Sequence, residues 1–135
     1  MSDKLIERIN KYTEHLQVLA FEQHYRWKAN YEELQNKSED ELLDFAIKTY
    51  EEDFYELDDN QKFIRIVRKD KYSNGGSAHA FVEKATGKLI KTASWKSPAK
   101  KKNGEFQSKY NLLDDNSFKL LIEQADIYGG HLYVR

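Results

Sequence analysis

The sequence predicts an α+β fold, on three observations. All six glycines and the single proline lie beyond residue 74, so helix breakers are missing from the front of the chain and turns crowd the back. Apolar residues recur at three- and four-residue steps in front, while β-branched and aromatic runs separated by Gly and Asn dominate behind. Charge divides near the same place: residues 1–60 carry 16 acids and 7 bases, residues 61–113 carry 3 and 13, and residues 114–135 carry 4 and 2. The overall net charge of −1 therefore hides a strongly dipolar chain.

A length of 135 residues suits a single domain, with an acidic helical part over 1–60 and a basic β-rich part over 61–135. Aromatic residues at 13% supply core area that the modest 39% hydrophobic content would otherwise lack. The absence of cysteine excludes disulfides and thiolate metal sites. Charges stand inside the first apolar turn, unlike a signal peptide, and no apolar run reaches membrane-spanning length. A soluble cytoplasmic protein that makes no membrane contact is the expectation.

The first helix is read from Leu5, Ile9, Tyr12, Leu16 and Leu19, a stripe that continues through Ala20, Trp27, Tyr31 and Leu34. Unbroken over 3–35, it would be about 50 Å long against a domain radius of gyration of about 14 Å. It must bend near Phe21–His24 or be covered by a partner or a second copy, so a homo-oligomer is expected. Ser38 and Glu41 form a capping box opening a second helix, with Leu42, Leu43, Ala46, Tyr50 and Phe54 inward and Asp58-Asp59-Asn60 at its end.

A strand is expected over 61–69, a turn over 72–76, and a hairpin of 77–84 and 88–95. A three-residue loop, Ala85-Thr86-Gly87, pairs Val82 with Ile90 and puts Ala80 and Thr92 on their face. His79, Phe81, Leu89, Ala93 and Trp95 then share the other face. Both faces are partly apolar, so helices should cover one and a second layer the other. Residues 97–113 read as a basic loop anchored by Phe106 and Tyr110. Asp114 or Asp115 caps a short helix with Phe118, Leu121, Ile122 and Ala125 inward, stopped by Gly129-Gly130, and 131–135 forms a last strand.

The segment Ala78–Lys100, with its His-Ala-Phe-Val strand, Thr86-Gly87 turn and Ala-Ser-Trp-Lys-Ser-Pro-Ala-Lys run, carries a resemblance. Together with Asn111–Asp114 and Tyr128–Tyr133 it resembles small uncharacterised proteins encoded by tailed bacteriophages, over about residues 76–135. The resemblance implies a phage setting, hence the cytoplasm of an infected host, and no mechanism.

Two constellations stand out chemically. Arg65, Arg68, Lys88, Lys91, Lys96, Lys100, Lys101 and Lys102, with Trp95 interleaved, have the composition of a nucleic-acid surface: cations for phosphates and a ring for an unpaired base. Lysines guarding a sheet edge, or neutralised by the acidic helices, would account for the same residues. The acidic face from Glu39 to Asp59 offers a second kind of partner, a host protein with a basic groove. Among the four histidines, His79 and His131 converge if the last strand lies beside the hairpin; with Glu83 they would support acid–base chemistry or bind a metal, as in a small enzyme or ligand-binding protein, whereas a strand histidine making a structural hydrogen bond accounts for the same residues. No metal spacing, nucleophile motif or phosphate loop occurs. No catalytic residue or cofactor is therefore assigned, and the reading favoured is a non-catalytic binder of an anionic partner.

Overall fold

The computed structural model describes residues 3–29, 38–49, 54–69, 76–127 and 129–133. Its elements are α1 (Asp3–Ala29), α2 (Glu39–Thr49), β1 (Phe54–Asp59), β2 (Phe63–Lys69), β3 (Ser77–Glu83), β4 (Lys88–Lys91), β5 (Ser108–Asn111), α3 (Asp115–Gln124) and a 3-10 turn, Gly130–Leu132. The five strands form one antiparallel sheet in chain order, β1-β2-β3-β4-β5. The α+β class is as predicted.

α1 is one continuous helix of 27 residues, about 40 Å long, with no break at Phe21–His24. Its stripe inserts Leu5, Ile9, Tyr12 and Leu16 into the core, and Ala20 closes the buried stretch. Tyr31 and Leu34, the side chain of Trp27, Tyr50 and the turn over 72–75 lie outside the described residues. The cap of α2 forms as read: the Glu41 amide donates to Ser38 Oγ, and that hydroxyl donates to the Glu41 carboxylate.

The second helix ends at Thr49 rather than at Asp59. Phe54–Asp59 is instead a strand, with Tyr55 and Leu57 half-buried against the core and Phe54, Glu56 and Asp58 outward. Its alternation is the period of a pleated strand. The pairing with β2 is reinforced by ion pairs Asp58–Arg65 and Glu56–Lys69. Asn60 makes the turn between them, its side-chain oxygen accepting from the amides of Lys62 and Phe63.

The β3–β4 register differs by one residue from the expected one: Val82 faces Leu89, and Phe81 faces Ile90. The loop has four residues, 84–87, closed by the Gly87 amide donating to the Glu83 carbonyl at 2.8 Å. Leu89 therefore belongs to the helix-side core, with Ile64, Ile66, Ala80, Val82 and Tyr110. Gly87 takes φ +81°, and a Cβ there would stand 2.7 Å from Leu113 Cγ. Gly87→Ala is expected to cost ~2 kcal/mol or more through left-handed strain and overlap; urea unfolding with an unchanged midpoint would refute this.

Beyond β4 the chain does not continue as a strand to Trp95. Residues 92–106 form two tight turns, one closed by the Ala93 amide to the Ser97 carbonyl and one by the Lys101 amide to the Glu105 carbonyl. This segment is the second layer on the outer sheet face. Phe106 meets Phe63 edge-on at 5.5 Å, Phe63 meets Phe81, and Trp95 lies over Arg65. The loop predicted over 97–113 contains β5, which buries Tyr110 on the helix side rather than using it as a loop anchor.

α3 starts at Asp114, whose carboxylate accepts from the Ser117 amide at 2.8 Å. Arg8 joins α1 to α3 through the Asp115 carboxylate at 2.6 Å and the Phe118 ring at 4.5 Å. Where a strand is predicted over 131–135, the chain begins with the 3-10 turn and becomes extended at Tyr133. Residues 134–135 lie outside the described residues. Among the described residues no helix is long and apolar enough to cross a membrane.

Candidate functional site

An irregularity in β3 creates the most distinctive chemical arrangement of the fold. Ile66 pairs with Ala80 but Val67 pairs with Ala78, so His79 is an extra residue opposite that step. Such a bulge re-aims a side chain. His79, expected to share a face with Phe81 and to oppose Ala80 and Val82, turns instead to their side, the helix side, and meets Tyr12 of α1. The 3-10 turn brings His131 to the same place, after Gly129 reverses the chain at φ +79°.

Tyr12 is fully buried, and its hydroxyl bonds both rings: His79 Nε2 at 2.6 Å and His131 Nε2 at 2.7 Å. The far side of His131 fixes the direction of these bonds. Its Nδ1 accepts from the backbone amide of Asp126 at 3.0 Å. In a neutral ring the proton then sits on Nε2 and is donated to Tyr12. The single phenolic proton is left for His79 Nε2, and the proton of His79 resides on Nδ1. The network thus assigns both tautomers.

Both rings are held neutral. Burial lowers His79 from 6.5 to about 3, with His131 and Arg68 adding in the same direction. His131 falls from 6.5 to about 4, again chiefly by burial, with Lys109 adding to the fall and the nearby Asp126 carboxylate opposing it. Burial likewise raises the Tyr12 phenol well above its ordinary value, and Tyr55 adds to this.

His79 lines a cleft of about 400 Å³ between the open end of the β3–β4 hairpin and the C-terminal turn. Arg68, Ser77, Lys91 and Thr92 supply its polar wall, and Tyr133 and Leu132 its apolar one. Arg68 is steadied by the Ile127 carbonyl, and the Lys91 ammonium lies 4.4 Å from the Tyr133 ring. No carboxylate lines this cleft among the described residues.

The predicted basic residues divide among separate places. Arg68 and Lys91 join His79. Arg65 is engaged internally: it pairs with Asp58, donates to the Trp95 carbonyl at 2.9 Å and lies 4.1 Å from the Trp95 ring. One face of Trp95 is thereby occupied, although the residue remains 40% exposed. Lys88 and Lys101 line a second cleft of about 570 Å³ that also holds Glu83 and Glu105. Lys96, Lys100, Lys101 and Lys102 are exposed on or beside the two turns of the 92–106 segment. Glu83 does not join the histidines, since it accepts from the Thr86 hydroxyl. Tyr12 was legible only as one member of an apolar stripe. The available signal was its hydroxyl, which needs a partner once buried.

A profile of a family of unknown function, DUF7717, matches residues 1–134, and the chain belongs to that family. The match includes the acidic helices as well as the β-rich part. No curated protein and no solved structure matches the chain.

Proposed function

We propose that this member of DUF7717 is a non-catalytic accessory protein that binds an anionic partner, nucleic acid foremost, through the 92–106 segment. The observation that carries this reading is the exposure of Lys96, Lys100, Lys101 and Lys102. None of them forms an ion pair with a described carboxylate, whereas Asp58, Asp59 and Glu56 already engage Arg65, Lys84 and Lys69. Cations not neutralised by a described carboxylate can neutralise phosphates and release counterions, and Lys100, whose ammonium lies 5.5 Å from the Phe106 ring, keeps its charge. Trp95 offers its free face to a base. The likeness of the Ala93–Lys100 run to tailed-phage proteins supports an infected-cell setting.

Fluorescence anisotropy with a labelled single-stranded oligonucleotide tests this. Four phosphate contacts give a slope of about −3 in log K against log salt, and changing the four lysines to Gln flattens it. An affinity that ignores salt, or no binding at low salt, overturns the reading.

A second reading rests on α2. Glu39, Asp40, Glu41 and Asp44 are exposed there beside Leu43 and Ile47, an acidic and apolar surface suited to a host protein with a basic groove. Charge reversal at Glu39 and Asp40 is expected to abolish capture of such a partner from host lysate. Val18, exposed on α1, adds to the apolar surface on which a second copy would pack. Light scattering after size exclusion measures that association.

A further inference from the structure

We infer that the cleft beside His79 is a binding site for a phosphate group, free or carried by a small phosphomonoester. The inference is independent of the lysines on the 92–106 turns, none of which lines this cleft.

The bulge in β3 and the chain direction place Arg68, Ser77, His79 and Lys91 around one concavity. Arg68 and Lys91 bring two positive charges, and no described lining residue brings a negative one. His79 adds a neutral donor. Its Nε2 is consumed by Tyr12, so the N–H it has left is Nδ1, which lies 4.0 Å from the position of a Cβ on Gly129, itself a lining residue. The absence of a side chain at Gly129 leaves that approach open. Ser77 and Thr92 contribute hydroxyls on the same wall.

A tetrahedral oxyanion with several acceptor oxygens suits this set of donors. Arg grips phosphate through a planar fork, Lys adds a point charge, and hydroxyl and imidazole N–H groups fix orientation. A half-buried neutral histidine is a well-fixed donor here, because the Asp126–His131–Tyr12 chain holds its tautomer in place. A volume of about 400 Å³ exceeds what one phosphate fills and leaves room for a small organic group against Tyr133 and Leu132.

The test uses the full chain labelled with ¹⁵N and titrated separately with inorganic phosphate, a nucleoside monophosphate and acetate at constant ionic strength. The expected result is a saturable shift of the His79 ring nitrogens with phosphate and with the monophosphate, and a much weaker response to acetate. A monophosphate about tenfold tighter than phosphate identifies the phosphomonoester as the ligand, while equal affinities identify the free ion. Lys91→Gln is expected to weaken binding about tenfold with an unchanged unfolding midpoint, and Ser77→Ala to weaken it less. No saturable shift, equal response to acetate, or undiminished binding by Lys91→Gln would each overturn the proposal. The variant with Gln at residues 96, 100, 101 and 102 should still bind phosphate. Loss of oligonucleotide binding and loss of phosphate binding are therefore separable.

Discussion

Tyr12→Phe is expected to lower the unfolding free energy by about 2–4 kcal/mol, a large effect for the removal of one oxygen atom. The ring stays in place against the core, so the apolar contribution is kept. What is lost is the partner of two nitrogens at once: the His131 Nε2–H has no acceptor and the His79 Nε2 has no donor. Each buried polar group left unsatisfied costs about 1–3 kcal/mol. Tyr110→Phe is the comparison. Its hydroxyl bonds Gln124, which lies at the surface, so water replaces the partner and the cost is about 1 kcal/mol or less. Equal, small losses for the two variants in urea titrations would show that the histidine–tyrosine chain does not stabilise the fold.

The second large effect is loss of stability in mild acid. The unfolded chain protonates His79 and His131 as the pH falls through 6.5, whereas the folded protein resists until about 4 for His131 and about 3 for His79. Over that window the unfolded state binds more protons, so unfolding becomes easier as the pH falls. The stabilising contribution is complete above pH 6.5. Below it, each ring removes about 1.4 kcal/mol per pH unit until its folded value is reached. Against a total of about 5–15 kcal/mol for an ordinary domain, this can unfold the protein before its ordinary carboxylates titrate. Urea midpoints measured between pH 7.5 and 4.5 should decline from near pH 6.5 downward. A flat profile above pH 5 would contradict the burial of the two rings.

The sequence and the structure agree where one element decides its own form. The stripe of α1, the Ser38 cap, the Asp114 cap and the apolar content of β2 and β3 are local signals. β1 is not legible locally: Tyr50 and Phe54 stand four apart and extend the helical period, while Tyr55 and Leu57 alternate equally well as a strand. Pairing with β2 makes the choice, and pairing is not a local property. β5 is short and polar, Ser-Lys-Tyr-Asn, and becomes a strand only because β4 offers an edge.

The sequence brings His79 and His131 together only on the condition of a C-terminal strand beside the hairpin, whereas a 3-10 turn does so in the structure. Strict alternation sets His79 beside Phe81 because it carries no sign of a bulge. Of the basic residues, composition showed that they were abundant and could not show which had internal partners. Arg65 is spent on Asp58 and Trp95, a pairing set by strand register and by the fold of the 92–106 segment.

The bond between Tyr12 and His131 spans 119 positions of the chain. During translation the first helix emerges well before the turn that secures its central hydroxyl. At about 5–20 residues per second the interval is roughly 6 to 24 s. For that time the Tyr12 hydroxyl lacks one of its two partners, although Ile64, Ile66, Ala80 and Val82, which seat the apolar stripe, have been made before it ends.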